Sequence, residues 1–368
     1  MTRGDLMTTE MPPQSGQGPD TRPARRRWLV RRWLNLPGLA WIGLILVGAS
    51  FALAFPFLNQ WFRPSMANAL LAPQPAPIDG NRAYGYLKKI CEIGPRPAGS
   101  EANTRQRQLV AAHFKAHGAT VTEQSFQARD PLSGKPLTMV NLVGSWFPER
   151  AERVVIGAHY DTRPHADMET DLTRLRAPFL GANDCASGVA LLMELAHHLN
   201  ASPTPWGVDL VLFDGEELVY GRNAPIRGYF LGSKEFARRY KNARREGRSK
   251  TKYTAGIILD MVGGKNLDLP KEGFSVKLAP HLVREVWDVA RALGDLAPAF
   301  RPEVRDPVYD DHLPLNDAGI PTIDIIDFSY PEWHTADDLP DRCSGASLAQ
   351  VGRVVSAWLA QPKPPKKR

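Results

Sequence analysis

The feature that most constrains the fold is an alternation of short apolar runs with helical patterns, which extends from about residue 81 to residue 360. The apolar runs have the length and composition of buried strands, and the segments between them carry apolar residues at helical spacing. The predicted strands are residues 152–162, 210–213, 256–264 and 320–327. The predicted helices are residues 83–94, 104–117, 188–200, 280–294 and 348–360. This alternation predicts an α/β domain at residues 81–362, with a mostly parallel mixed sheet covered by helices on both faces.

The residues before this domain have a different character. Residues 1–24 are rich in Pro, Gly, Thr and Gln, and the Arg-rich run Arg25 to Trp33 follows them. Residues 1–35 are therefore predicted to form a disordered, basic cytoplasmic tail. Residues 36–60 contain twenty consecutive residues without a charge, Leu39 to Leu58, behind an Arg-rich flank. This length and flank predict one N-terminal transmembrane helix, followed by an Ala- and Pro-rich linker at residues 61–80.

Two alternatives for the apolar run remain open. It also fits a cleaved signal peptide, with Ala67-Asn68-Ala69 as the cleavage site, and less well a buried core helix. The anchor and the signal peptide both place the domain outside the cytoplasm, in a periplasm or lumen, and the anchor makes the membrane a partner of the chain.

The positive charge of the chain lies in its two ends. The net charge is +7, of which residues 1–35 contribute +4 and the basic tail at residues 363–368 contributes +4, so the remainder carries −1. A nucleic-acid-binding domain concentrates its basic residues on the folded surface. The distribution therefore excludes nucleic acid as the partner of this domain.

Histidines and carboxylates cluster where the predicted strands end. They are His159, Asp161, Glu216, Glu217, Asp260 and His334, and Asp184 precedes the helix at residue 188. The carboxyl ends of parallel strands meet at one edge of a sheet, so these side chains are expected to lie together. Imidazole and carboxylate ligands suit zinc, and a bridging carboxylate holds two ions. The bound cation also stabilises carboxylates that otherwise repel one another. The pattern predicts a site for one or two Zn²⁺ ions.

Seven motifs occur in the order found in the zinc-dependent M28 peptidase family. They are GPRPAGS, AHYDT, GANDCASG, FDGEE, LDMVG, DDHLP and EWHTADD, within residues 81–360. The chain thus resembles this family, and it also resembles the glutaminyl-peptide cyclotransferase branch of the family.

The resemblance implies a role for each matching residue. His159, Asp184, Glu217, Asp260 and His334 match the metal ligands. Asp184 matches the carboxylate that bridges two ions or binds one, and Asp260 matches a ligand of the first site or, if that site is empty, a member of a proton network. Glu216 matches the general acid and base, and Asp161 matches the residue that orients His159.

Two reactions remain open on this scaffold. One is cyclisation of an N-terminal glutamine to pyroglutamate with release of ammonia, and the other is aminopeptidase hydrolysis, both acting on peptide or protein N-termini. DDHLP and EWHTADD favour the cyclotransferase, with Trp333 as a wall of the glutamine pocket and Asp310 in a network with Glu216 and Asp260. GANDCASG is closer to the peptidase form, and Arg222 stands where cyclotransferases tend to carry Trp.

A third alternative is a catalytically silent, membrane-anchored binding domain. Loss of a ligand or of Glu216 would favour it, and none is lost. We therefore predict an enzyme, with the cyclotransferase as the first hypothesis.

The remaining polar residues have simpler interpretations. His165 and Asp167 are predicted to lie in a solvated loop, and Asp214 is predicted to cap the turn at Gly215. His197 and His198 are predicted on the exposed or half-buried side of their helix. The three cysteines permit one disulfide, and the sequence does not select the pair.

Overall fold

The computed structural model describes residues 75–171, 173–174, 176–220 and 228–363. The predicted basic tail at residues 1–35, the predicted anchor at residues 36–60 and most of the linker lie outside the described residues, as does Arg222. Within the described ranges, no helix combines the length and apolarity needed to span a bilayer.

A six-stranded sheet forms the centre of the domain. Its strands are β1 (Thr120–Arg129), β2 (Pro136–Trp146), β3 (Glu152–His159), β4 (Gly207–Phe213), β5 (Lys252–Asp260) and β8 (Thr322–Ile326); β6 (Leu269–Lys271) and β7 (Phe300–Val304) pair separately. The order across the sheet is β1-β2-β4-β3-β5-β8. Strands β4, β3, β5 and β8 are mutually parallel, whereas β1 and β2 form an antiparallel hairpin at one edge. The predicted mixed sheet is confirmed.

Helices cover both faces of the sheet. They are α1 (Gly80–Cys91), α2 (Glu101–Ala116), α3 (Gly188–Leu199), α4 (Leu231–Arg245), α5 (Gly273–Leu278), α6 (Pro280–Leu293), α7 (His312–Asp317) and α8 (Gly345–Leu359). Val154 and Ile156 of β3 face a large core formed with α1, α2, α3, α6 and α8. Val155 points to the other face, where it packs with α4 and α7. The alternation along one strand therefore builds two cores, as expected for strands buried on both faces.

Seven elements of the described residues have no counterpart in the prediction: the strands β1, β2, β6 and β7 and the helices α4, α5 and α7. The sequence of β1, TVTEQSFQAR, has no fully buried residue, so it shows no apolar run. Helix α4 is rich in Arg and Lys and buries only a narrow stripe that includes Phe236 and Ala237. Packing against the rest of the fold stabilises β1 and α4 in these conformations, and their own apolar patterns are too weak to predict them.

The strand predicted over residues 256–264 ends at Asp260 because Met261 has a positive φ of 49°. An L-residue rarely adopts this conformation, and it is incompatible with a continuing strand. The chain therefore turns directly after Asp260. The cysteines Cys91, Cys185 and Cys343 are all buried with free thiols, so the structure contains none of the possible disulfides among them.

Candidate metal centre and active site

The parallel strands bring the predicted metal ligands to one edge of the sheet. His159 is the last residue of β3 and Asp260 is the last residue of β5. Glu216 and Glu217 follow β4, His334 follows β8, and Asp184 lies in the π-helical turn Ala182–Ser187 before α3. Each of these residues except His334 lies within a few positions of the end of a strand or of the start of α3, so the sheet and its helices determine its position.

Glycine makes the turn after β4 possible. Gly215 has a φ of +70°, and a Cβ atom there would lie 2.6 Å from the sulfur of Met139. The backbone therefore reverses sharply between Asp214 and Glu216, which only glycine permits without strain. Asp214 does not cap this turn, contrary to the prediction. Its carboxylate accepts hydrogen bonds from the backbone N–H of Val140 at 2.8 Å and from the side-chain amide of Asn103 at 3.2 Å.

The ligand atoms form two groups that share Asp184. His159 Nε2 lies 3.1 Å from Asp184 Oδ1 and 3.3 Å from Asp260 Oδ1. His334 Nε2 lies 3.4 Å from Asp184 Oδ2 and 2.9 Å from Glu217 Oε1. Each group of three offers its ligand atoms within 4.8 Å of one another. One oxygen of Asp184 thus faces each histidine, which is the arrangement of a bridging carboxylate.

The electrostatics of this cluster favour a cation. Burial disfavours the charged form of His334, but the carboxylates of Glu217, Asp167 and Asp184 outweigh it and raise the pKa of this imidazole to about 11. The pKa of His159 is likewise raised well above its usual value, despite burial, by groups that include Asp184 and Asp260. His159 Nδ1 is buried and has no hydrogen-bond partner among the described residues. Imidazole nitrogens and carboxylate oxygens around a site that attracts positive charge fit zinc.

Asp161 holds the glutamate pair in place. It is fully buried, and its two oxygens accept hydrogen bonds from the backbone N–H groups of Glu216 and Glu217, both at 3.0 Å. The distance from Asp161 Oδ1 to His159 Nδ1 is 3.9 Å, too long for a hydrogen bond. The carboxylate of Asp161 therefore makes its hydrogen bonds with the turn that carries the two glutamates and makes none with His159.

Asp338 holds the segment of Asp184 in the same way. Its carboxylate accepts the backbone N–H groups of Asn183 at 2.8 Å and Asp184 at 3.0 Å, and the hydroxyl of Tyr330 at 2.8 Å. Asp338 belongs to the EWHTADD motif, but its role was not predicted. Its proximity to Asp184 depends on a contact across more than 150 residues, which no local pattern indicates.

Asp167 was also missed, and the prediction of a solvated loop is wrong for it. Its Oδ1 lies 3.2 Å from His334 Nδ1 and 2.9 Å from Arg163 Nε. A carboxylate on the second ring nitrogen fixes the orientation and tautomer of a metal-binding histidine. His165, by contrast, is exposed as predicted. The only signal for Asp167 was the HxD spacing, and it was discounted because no apolar strand leads into it.

Glu216 faces the site without entering either group around Asp184. Its Oε2 lies 3.9 Å from His159 Nδ1, and its side chain is largely buried. Burial raises the pKa of Glu216 well above its usual value; the neighbouring Glu217 adds to the shift and His159 opposes it. A carboxyl group tuned in this way is suited to carry a proton between reacting groups.

A cavity of about 410 Å³ opens over these residues. Its acidic lining includes Glu216, Asp260 and Asp310, and aromatic side chains form much of the rest. The indole of Trp333 stacks on the ring of His334, with centroids 3.9 Å apart and an interplanar angle of 28°. The ring of Phe328 packs against that of Trp333, with centroids 5.0 Å apart, and Phe328 is half exposed. The aromatic wall formed by Trp333 and Phe328 therefore reaches from the predicted metal ligand His334 to the solvent.

Behind Asp310 lies a buried polar cluster that was not predicted beyond Asp310 itself. Asp310 Oδ2, both oxygens of Asp324 and both ring nitrogens of His312 have no hydrogen-bond partner that meets the geometric criteria among the described residues. His312 Nε2 lies 3.4 Å from Glu272 Oε2. Burial raises the pKa values of Asp310 and Asp324. The neighbourhood of Glu216 is therefore rich in groups that hold protons.

Comparison with known proteins places these motifs in context. Residues 141–359 match the model of peptidase family M28. A glutaminyl-peptide cyclotransferase-like protein from Bos taurus is 25% identical over 312 residues, which cover 77% of this chain and 76% of that protein.

Solved structures give closer matches. The glutaminyl cyclase of Fimbriiglobus ruber is 41% identical with a TM-score of 0.74, over 78% of this chain and 97% of that structure. A leucine aminopeptidase precursor from Bacteroides thetaiotaomicron is 34% identical with a TM-score of 0.72, over 79% of this chain and 99% of that structure.

Proposed function

This chain belongs to peptidase family M28, and within that family we propose that it is a zinc-dependent glutaminyl-peptide cyclotransferase. The substrate is a peptide or protein with an N-terminal glutamine. Its α-amine attacks the carbon of its own side-chain amide, the five-membered lactam of pyroglutamate closes, and ammonia leaves. The observation that carries the proposal is the aromatic wall of Trp333 and Phe328 beside His334, within the cavity that also contains Glu216.

Zinc, when bound, supplies a Lewis acid that polarises the amide carbonyl. We propose Asp184, Glu217 and His334 as the ligands of the ion next to the aromatic wall. His159 and Asp260, together with Asp184, would form a second metal position. The number of ions can be determined by measuring the metal content of the purified protein. Because Asp184 is common to both groups, an Asp184→Ala variant should lose metal from both.

Glu216 is the proton carrier in this reaction. It accepts a proton from the attacking α-amine and delivers it to the departing nitrogen, so that the products are the lactam and neutral ammonia. Asp310 lies near enough to Glu216 to influence its charge: burial raises the pKa of Glu216, and the charge of Asp310 adds to this shift, as it does for the pKa of Asp260. We propose that Asp310 stabilises the protonated form of Glu216 during the transfer.

The aromatic wall has a second role. Cyclisation needs no water, and water near the polarised amide would compete with the α-amine. The indole of Trp333 lies against His334 and leaves an apolar surface on the cavity side, which suits the methylene groups of a glutamine side chain. Trp333 therefore both shapes the pocket and excludes water from the reacting amide.

One observation favours a second candidate, the aminopeptidase. Asp184 directs one oxygen toward each histidine, and a bridged two-ion site of this kind suits activation of a water molecule. In that reaction Glu216 would take the proton of the water, and the first peptide bond would be hydrolysed.

The two candidates are separated by their products. The purified protein, supplied with zinc, is incubated with one peptide that begins Gln-Ala and another that begins Leu-Ala, and mass spectra are recorded. Loss of ammonia from the Gln peptide alone supports the cyclotransferase. Removal of the first residue, above all from the Leu peptide, supports the aminopeptidase and makes Trp333 a packing residue.

We also propose that residues 36–60 anchor the chain in a membrane with the catalytic domain on the extracytoplasmic side. The proposal rests on the uncharged run from Leu39 to Leu58 and the Arg-rich segment that precedes it. Extraction of membranes at alkaline pH tests it, because a spanning helix remains with the lipid and a cleaved signal peptide leaves a shorter, released chain.

A further inference from the structure

A second group of metal-ligand side chains lies on the helical layer of the domain. It consists of His113 in α2, His117 directly after the last residue of α2, and His197 in α3, which we call the histidine cluster. The three ring centroids lie 4.2, 4.0 and 5.2 Å apart, for the pairs 113–117, 117–197 and 113–197. Each ring offers a nitrogen within 4.8 Å of the other two, and all three residues are half-buried. The cluster is thus accessible to an ion from solvent.

Helical geometry produces the cluster. His113 lies in the last turn of α2, and His117, four residues later, caps the C-terminal end of that helix, so the two rings lie next to each other. His197 lies in the last turn of α3, which packs beside α2. The catalytic site is at the other end of α3, because Asp184 precedes its first residue, Gly188. The nine residue-to-residue steps from Gly188 to His197 span about 14 Å along the helix axis, so the cluster is separate from the catalytic centre.

Two of the rings are already held in the tautomer that a metal requires. His113 Nε2–H donates a hydrogen bond to the carbonyl of Met193 at 2.8 Å, and His117 Nδ1–H donates to the carbonyl of His113 at 2.8 Å. A carbonyl oxygen only accepts, so these nitrogens carry the protons. The lone pairs of His113 Nδ1 and His117 Nε2 therefore remain for a ligand. Metal-binding histidines use this arrangement, with the second N–H bonded to a backbone carbonyl.

The third ring has a comparable partner. His197 Nε2 lies 2.6 Å from the hydroxyl of Tyr86, which accepts when the ring nitrogen carries the proton. In that tautomer the lone pair is on Nδ1. Tyr86 also contacts the cluster through its ring, 5.0 Å from the centroid of His113, and so joins α1 to the two helices that carry the histidines.

Burial, assisted by nearby charges, lowers the pKa values of two of the rings and so keeps them neutral. Burial lowers the pKa of His197 to about 4, and the charges of Arg82 and His117 act in the same direction while Glu194 opposes them. Burial also lowers the pKa of His113. Glu194 is paired with Arg82 and lies 3.0 Å from His198, so its charge is largely compensated. Neutral imidazole is the form that binds metal.

We propose that His113, His117 and His197 bind one divalent transition-metal ion of the zinc, nickel or copper class, with solvent completing the coordination. Three imidazole nitrogens and an open position suit these ions, whereas calcium and magnesium prefer oxygen ligands. The bound ion connects α2 to α3, and Tyr86 supports it from α1. The proposal is independent of the reaction catalysed at the sheet edge.

Zinc binding by the full chain tests the proposal. Wild type and His117→Gln are dialysed against a series of free Zn²⁺ concentrations, and bound zinc is measured by elemental mass spectrometry. Wild type should bind one more ion per chain than His117→Gln. Tyr86→Phe should bind the same number with an affinity about 10-fold lower, as expected for the loss of a partner that supports a ligand. The control is His281→Gln, which removes an exposed histidine from α6 and should behave as wild type.

Turnover of the Gln-Ala peptide shows whether each variant has kept its catalytic site. Equal zinc content in wild type and His117→Gln overturns the proposal. Should His117→Gln fail to fold, wild type alone decides the question through modification by diethyl pyrocarbonate. Zinc should protect residues 113, 117 and 197 in peptide maps while residue 281 stays reactive. Modification of the cluster at an unchanged rate in the presence of zinc contradicts the proposal.

Discussion

The substitution Asp161→Asn tests how the glutamate pair is held. In the structure the two oxygens of Asp161 each accept one backbone N–H, from Glu216 and from Glu217, at 3.0 Å. Asparagine keeps the size of the side chain but has one acceptor oxygen and one NH₂ donor. One of the two backbone N–H groups must then face another donor, and the turn that carries both glutamates loses half of its attachment.

The expected loss follows from the hydrogen bonds. A hydrogen bond to a charged group contributes about 1.5–3 kcal/mol. If that free energy is needed to hold Glu216 and Glu217 in the reactive arrangement, kcat/KM falls by about 10- to 150-fold. The free energy of unfolding should change by less, because burial raises the pKa of Asp161 to about 7 and the substitution also relieves the cost of burying its charge.

The assay is ammonia release from a Gln-Ala peptide at saturating zinc, with urea unfolding as a second measurement. The matched control is Asp79→Asn at the start of α1. Asp79 also accepts two backbone N–H groups, at 2.9 and 3.0 Å, but with a single oxygen and in contact with solvent. Asparagine caps helices as well as aspartate does, so this variant should keep its rate. A rate for Asp161→Asn within threefold of wild type would refute the reasoning.

Three further predictions concern the proton carrier, the aromatic wall and a buried ion pair. Glu216→Gln should retain zinc, measured as metal content, and lose turnover by about 10²–10⁴-fold, because it removes a general acid and base. Trp333→Ala should lower kcat and raise KM for the Gln-Ala peptide, whereas Trp333→Phe keeps an aromatic surface beside His334 and most of the rate. Glu194→Gln breaks a pair with Arg82 in which the glutamate side chain is 0% exposed and the arginine side chain 36% exposed. The unfolding free energy should fall by about 2–3 kcal/mol, less than for a fully buried pair because water reaches the arginine.

The loss of stability in Glu194→Gln should depend on pH, and the direction of this dependence follows from the pKa of Glu194. Burial alone would raise the pKa of Glu194, but its hydrogen bonds from Arg82 and His198 outweigh burial and lower it below the usual 4.5. A lowered pKa contributes stability above about pH 4.5 that is lost as the pH falls through the pKa of the folded state. Urea unfolding at pH 7 and pH 3 measures the difference between wild type and Glu194→Gln.

Each of these predictions has a contrary outcome. An unchanged turnover rate in Glu216→Gln would show that a group other than Glu216 transfers the proton. Equal losses in Trp333→Ala and Trp333→Phe would show that the indole acts through packing of His334 rather than through the pocket. A stability difference for Glu194→Gln that is as large at pH 3 as at pH 7 would exclude the charge of Glu194 as its source.

The central sheet could be predicted because its strands are buried on both faces. Strand β4 shows this best, since all seven of its residues are buried and four of them form the apolar run Leu210 to Phe213. Strand β1 lies at the edge of the sheet, is exposed along its whole length in alternation with half-buried residues, and gives no such run. The neighbouring strand β2 was missed as well, although Met139 to Gly144 are buried, because the polar Asn141 interrupts its apolar residues. The apolar pattern therefore indicates the strands that carry an unbroken apolar run and misses the others.

In the candidate site, too, the residues next to predictable strands could be placed from the sequence and the residues in loops could not. His159 and Asp260 could be placed because each ends a predictable strand, and the strand itself carries the side chain to the sheet edge. Asp167 and Asp338 could not be placed, because they lie in loops and meet the site only through contacts with His334 and Asp184 across long stretches of chain. Local sequence patterns indicate which residues end a strand, whereas loop contacts are determined by the folded chain as a whole.

The paired attachments of Asp161 and Asp338 bear on how the enzyme exchanges its metal. Each carboxylate accepts hydrogen bonds from two consecutive backbone N–H groups of a segment that carries proposed metal ligands, and these hydrogen bonds form without an ion. The apoprotein should therefore keep Asp184, Glu217 and the proton carrier in register after chelation. Replacement of zinc by Co²⁺ should then be reversible without unfolding, and cobalt would provide an optical probe of the coordination sphere during turnover.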